Sequence, residues 1–97
     1  MLRHVVLFRL TEDTPEGTLQ SLKDGLSLLA NSIPEISSYS FGKDLGLREG
    51  NYDLGIVADF EDEKAFNRYV EHPDHQAFVA DQLRPVLAER VALQFEF

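Results

Sequence analysis

Leu2-Arg3-His4-Val5-Val6-Leu7-Phe8-Arg9-Leu10 alternates residue by residue and carries apolar side chains on both of its faces. Leu2, His4, Val6, Phe8 and Leu10 share one side; Arg3, Val5, Leu7 and Arg9 share the other. A strand that is apolar on both sides is covered on both, which predicts a central place in its sheet. The apolar run is too short for the core of a secretion signal, and no small-residue cleavage site follows it. It reads as a first strand, not as a leader.

Downstream, Thr14-Pro15-Glu16 predicts a helix start. Thr14 suits the cap, Pro15 the first helical position, and Glu16 the positive end of the dipole. Leu19, Leu22, Leu26, Leu29 and Ile33 then recur at helical spacing. Gly25 inside this run costs about 1 kcal/mol relative to alanine. Close approach to a neighbour and simple tolerance both account for it. Pro34 stops the helix and turns Ile33 extended.

Residues 36–43 read as a second strand, with Tyr39 and Phe41 on one face and serines on the other. Residues 44–51 form a glycine-punctuated loop. Residues 52–60 alternate again, with Tyr52, Leu54, Ile56, Ala58 and Phe60 opposite Asp53, Gly55, Val57 and Asp59. Asp62 is placed to cap a second helix whose stripe is Ala65, Phe66, Tyr69 and Val70. His72-Pro73-Asp74-His75 breaks that helix. Phe78, Val79, Gln82 and Leu83 mark a third helical stretch, which Arg84-Pro85 ends or kinks. Residues 90–97 form the last strand, with Val91, Leu93, Phe95 and Phe97 opposite Ala92, Gln94 and Glu96.

The order β-α-β-β-α-β is ferredoxin-like, an α+β class with helices on one face of a four-stranded antiparallel sheet. Helices on one side leave the other side bare. The apolar residues there predict an interface, most simply a homodimer about a two-fold axis.

With 97 residues the chain reads as a single domain spanning 1–97. Seventeen carboxylates against nine Lys and Arg give a net charge of −8. That balance repels phosphate backbones and anionic membranes, so neither nucleic acid nor membrane is expected as a partner. No run of about 18 apolar residues is present to span a bilayer. The absence of cysteine excludes disulfides, thiolate metal sites and cysteine nucleophiles, and it fits a reducing cytoplasmic setting.

Four side chains carry the candidate chemistry. His4 lies inward on the first strand, either as a core histidine satisfied by its neighbours or as an acid–base group near neutrality. His72 and His75 are three residues apart, but two imidazoles make an incomplete metal site, so no metal is expected. Tyr69 packs in its helix stripe and has a hydroxyl able to donate to an oxyanion. Asp44, Asp53 and Asp59 read as surface or loop carboxylates. The chain has no phosphate-binding glycine loop and no supportable Ser-His-Asp order.

Arg3-His4-Val5-Val6-Leu7-Phe8, Ile33-Pro34-Glu35-Ile36, Gly42-Lys43-Asp44, Gly50-Asn51-Tyr52-Asp53, Tyr69-Val70-Glu71-His72-Pro73-Asp74-His75 and Arg84-Pro85 together resemble the stress-responsive A/B barrel (Dabb) family. The resemblance covers almost the whole chain and implies a dimeric α+β barrel. It also implies similarity to a cofactor-free polyketide cyclase of that family, olivetolic acid cyclase. In that enzyme a first-strand His, the second His of His-Pro-x-His and a Tyr of the preceding helix line the pocket. The matching positions here are His4, His75 and Tyr69. The implied activity is a cofactor-free cyclase, lyase or isomerase acting on a small carbonyl compound. The alternatives are a non-catalytic binding module for a small ligand and a stress protein with a purely structural role.

Overall fold

Strand β1 (Leu2–Leu10) lies inside a four-stranded sheet, in the computed structural model that describes residues 1–97. The other strands are β2 (Ile36–Lys43), β3 (Leu54–Phe60) and β4 (Leu87–Glu96), in the spatial order β2-β3-β1-β4. All neighbours are antiparallel. Helices α1 (Thr18–Ser32), α2 (Glu63–Glu71) and α3 (Pro73–Phe78) complete the ferredoxin-like fold. Strands β3 and β4 begin two residues later and three residues earlier than the alternation predicts, where the neighbouring ladder with β1 sets the boundary.

The core lies between the helices and one face of the sheet. Val6 and Phe8 of β1, Leu54, Ile56, Ala58 and Phe60 of β3, and Leu22, Leu26 and Leu29 of α1 are all buried there. Ile33 is buried at the end of α1 in extended geometry, as Pro34 requires.

Helix α1 starts later than Thr14-Pro15-Glu16 predicts. The Thr14 hydroxyl lies 2.8 Å from the Thr11 hydroxyl, so a preceding turn holds it. The cap position falls instead on Gly17 at φ 87°, a conformation that costs glycine nothing sterically. Gly25 is a close-approach residue. A Cβ there would sit 2.7 Å from Cε1 of Phe78, so α3 packs directly on the bare backbone of α1.

Asp62 caps α2 by accepting from the Ala65 N–H at 2.8 Å. Ala65 and Tyr69 are buried in its stripe, but Val70 is exposed, one position past the side that faces the sheet. His72 ends α2 and begins α3. Its Nδ1 accepts from the Asp74 N–H at 3.1 Å, and Pro73 takes the first helical position. Beyond α3 the chain widens into a π-helical turn over Val79–Leu83, then a 3₁₀ turn over Arg84–Val86.

The far face of the sheet bears no helix. Leu7, Val57, Val91, Leu93 and Phe95 are exposed on it. Asp59 also lies there. It is not the open surface carboxylate that the alternation suggests, being only 8% exposed. Arg3 grips it with two hydrogen bonds of 2.8 and 3.0 Å and lies 4.3 Å over the Phe97 ring.

Candidate functional site

Cross-strand register decides which side chains meet under the helices. Residues directly opposite in a ladder share a face. His4 is opposite Ala58 on β3 and Gln94 on β4; Phe8 is opposite Leu54 and Arg90. The inward face of β4 is therefore Arg90, Ala92 and Gln94, and its apolar row Val91, Leu93, Phe95 points away from the helices.

Between β4 and the α3–π segment the core is not closed. A cavity of about 230 Å³ opens there, lined mainly by apolar side chains. Val6, Phe8, Ile56 and Phe78 form its floor and back, and Val79 and Leu83 of the π turn face it. π turns re-aim side chains within a helix and recur at functional sites. The polar groups in the wall are His4, Tyr39, Tyr69, His75 and Arg90. His4, Tyr69 and His75 are three of the four side chains singled out in the sequence, and all three line this one hollow; the fourth, His72, is not in the lining. Tyr39, Arg90 and the supporting Gln94 were not singled out.

The rings form a chain. The His4 and Tyr69 centroids are 6.5 Å apart, and Tyr69 and His75 are 4.3 Å apart. Phe66 packs against the His4 ring at 5.1 Å. His4 is 5% exposed. Its Nδ1 accepts from the side-chain amide of Gln94 at 2.9 Å, which leaves the proton on Nε2. Burial pushes its pKa down to about 4, assisted by the positive charge of Arg90 and by His75. The ring is therefore neutral near pH 7 and donates through Nε2–H.

His75 has the opposite arrangement. Its Nδ1–H donates to the Val70 carbonyl at 3.2 Å, so the lone pair is on Nε2. Burial lowers its pKa; the Val70 hydrogen bond opposes this, and Arg90 and His72 add to the lowering. It too is neutral near pH 7, but as an acceptor.

Tyr69 is 3% exposed, and its hydroxyl lies 2.8 Å from the hydroxyl of Tyr39. Burial raises the pKa of both phenols. Either hydroxyl can be the donor in this pair; when Tyr39 donates, the Tyr69 proton is free for a further acceptor. His72 is occupied by capping α3. No three His, Asp or Glu side chains group closely enough to hold a metal ion.

The family described as Stress Responsive A/B Barrel Domain (Dabb) matches residues 2–97. A Streptomyces coelicolor protein of uncharacterised function is 32% identical over 82 residues, 82% of this chain and 84% of its own. A dimeric ferredoxin-like protein of unknown function from Thermobifida fusca is 44% identical, with a TM-score of 0.91 over 99% of this chain and 90% of its own. The hydroxynitrile lyase of Passiflora edulis superposes with a TM-score of 0.83 at 21% identity, over 97% of this chain and 90% of its own. At that identity the likeness is one of fold.

Proposed function

The chain belongs to the stress-responsive A/B barrel family, and from that premise we propose that it is a homodimeric, cofactor-free acid–base catalyst acting on a small carbonyl compound. One observation carries the reading. Two neutral imidazoles of opposite hydrogen-bonding polarity flank a buried phenol in one cavity. His4 offers a proton and His75 a lone pair because Gln94 and the Val70 carbonyl each occupy the other ring nitrogen.

In this reading Nε2 of His75 removes a proton from a carbon next to a carbonyl. The C–H electron pair becomes the enolate double bond, and the carbonyl oxygen takes the negative charge. Tyr69 O–H and His4 Nε2–H donate to that oxygen. The enolate carbon then attacks a second carbonyl, or is reprotonated at another position, and the His75 imidazolium returns the proton. Atoms and charge balance without a co-reactant. An engineered cavity of about 150 Å³ holds benzene, so this one suits roughly nine or ten non-hydrogen atoms.

The bare apolar sheet face supports pairing with a second copy, as does the dimeric state described for the Thermobifida fusca protein.

The test is hydrogen exchange. Pentane-2,4-dione and acetoacetate are incubated with the protein in deuterated buffer, and loss of the central C–H signal is followed by proton NMR. Acceleration over buffer is expected, falling by about 100-fold or more in His75→Ala with the circular dichroism unchanged. Exchange that His75→Ala leaves untouched overturns the catalytic reading. Saturable binding without any exchange replaces it with the binding-module alternative.

A further inference from the structure

Arg90 is not used by the chemistry above, and it is the one Lys or Arg side chain in the cavity lining. The ion pairs of the protein involve Arg3, Arg9, Arg68 and His72. Arg90 has no carboxylate partner, a state it shares with Lys23, Lys43, Arg48, Lys64 and Arg84, but none of those lines the cavity. It projects from the inward face of β4 opposite Phe8 and forms part of the cavity wall. Its neighbour Glu89 faces the other way and is engaged by Arg9 and Tyr52. No Asp or Glu lines the cavity. Arg90 is an exposed residue that reaches this wall, and the planar fork of a guanidinium matches a carboxylate with two parallel hydrogen bonds.

We infer that Arg90 is the anion-recognition residue of this cavity and that the natural occupant is a small carboxylate. The inference rests on the cavity being a ligand site and adds the substrate class: a compact, largely apolar acid with an enolisable carbonyl. Arg90 anchors the carboxylate at the β4 side, and the remainder reaches toward Tyr69 and His75. The positive charge that Arg90 imposes on both histidines fits this arrangement, since a bound anion offsets it.

The probe pair is benzoate and benzamide, which have the same shape and about nine non-hydrogen atoms each but differ in charge. Their dissociation constants for the full chain are measured by NMR titration of the labelled protein at low salt. Benzoate is expected to bind more than about tenfold more tightly, the factor one charge-assisted hydrogen bond supplies. Arg90→Gln is expected to collapse that ratio to near one, Arg90→Lys to keep part of it, and Arg84→Gln to keep all of it. Equal binding of the two probes by the unaltered protein, no binding of benzoate, or an unchanged ratio in Arg90→Gln each overturns the inference. The readout needs no turnover. Rapid exchange of pentane-2,4-dione with no benzoate preference removes the carboxylate but spares the acid–base reading, and the reverse result does the opposite.

Discussion

The side-chain amide of Gln94 lies 2.9 Å from Nδ1 of His4, joining the first and last strands of the sheet. This bond selects the His4 tautomer that donates into the cavity. Gln94→Glu places a carboxylate where the amide donor stood. An adjacent negative charge favours the imidazolium, so the His4 pKa is expected to climb from about 4 by more than about one unit. Histidine-selective NMR titration reads this directly. An unmoved His4 titration shows that the amide does not govern the ring.

Stability is expected to depend on pH through the same histidine. Its folded-state pKa is depressed below the ordinary 6.5, so protons bind the unfolded chain more readily. The contribution is fully present above about pH 6.5 and is lost as pH falls toward 4. Solvent reaching the open cavity screens part of it, leaving on the order of 1–2 kcal/mol. His75 is shifted in the same direction and adds with the same sign. Urea unfolding at pH 7 and pH 4.5 is expected to show a smaller loss in His4→Gln than in the unaltered protein.

Gly25→Ala sets two effects against each other. Alanine gains about 1 kcal/mol of helix propensity. Its Cβ meets the Phe78 ring at 2.7–2.8 Å and the Gln82 side chain at 2.8 Å. Overpacking of this kind costs about 1–3 kcal/mol, so a net loss of stability is expected. Because Phe78 also lines the cavity, benzoate affinity is expected to fall with it. Thermal unfolding and the NMR titration check both, and a stabilised variant with unaltered affinity shows that the ring yields freely.

Leu93→Glu tests the bare sheet face. Leu93 is 56% exposed in one chain, so its loss leaves the internal core intact. An unpaired carboxylate buried between two such faces costs several kcal/mol. Sedimentation equilibrium is expected to show a dimer for the unaltered protein and the mass of one chain for the variant. A variant that still pairs relocates the interface.

The elements were legible in the residues because their causes are local. The β1 alternation placed that strand in the sheet interior, and Pro34 and His72-Pro73 marked two helix ends at the right positions. The start of α1 was not legible, since the Thr14 hydroxyl had two uses and the nearby Thr11 took it. The β4 pattern hid its meaning as well. A row of four large apolar residues resembles a core face, yet the helices face the sparse row of Arg90, Ala92 and Gln94.

By itself, then, the chain's pattern determined the order of helices and strands, the α+β class and a bare apolar surface. These follow from side-chain periodicity, cap residues and prolines, each acting over a few positions. Only tertiary structure decided the cavity, the roles of Tyr39, Gln94 and Arg90, and the opposite polarity of the two histidines. His4 and Gln94 are 90 residues apart in the chain and opposite one another in the sheet. No periodicity spans that distance, whereas strand register does, through backbone hydrogen bonds that form only when the sheet assembles.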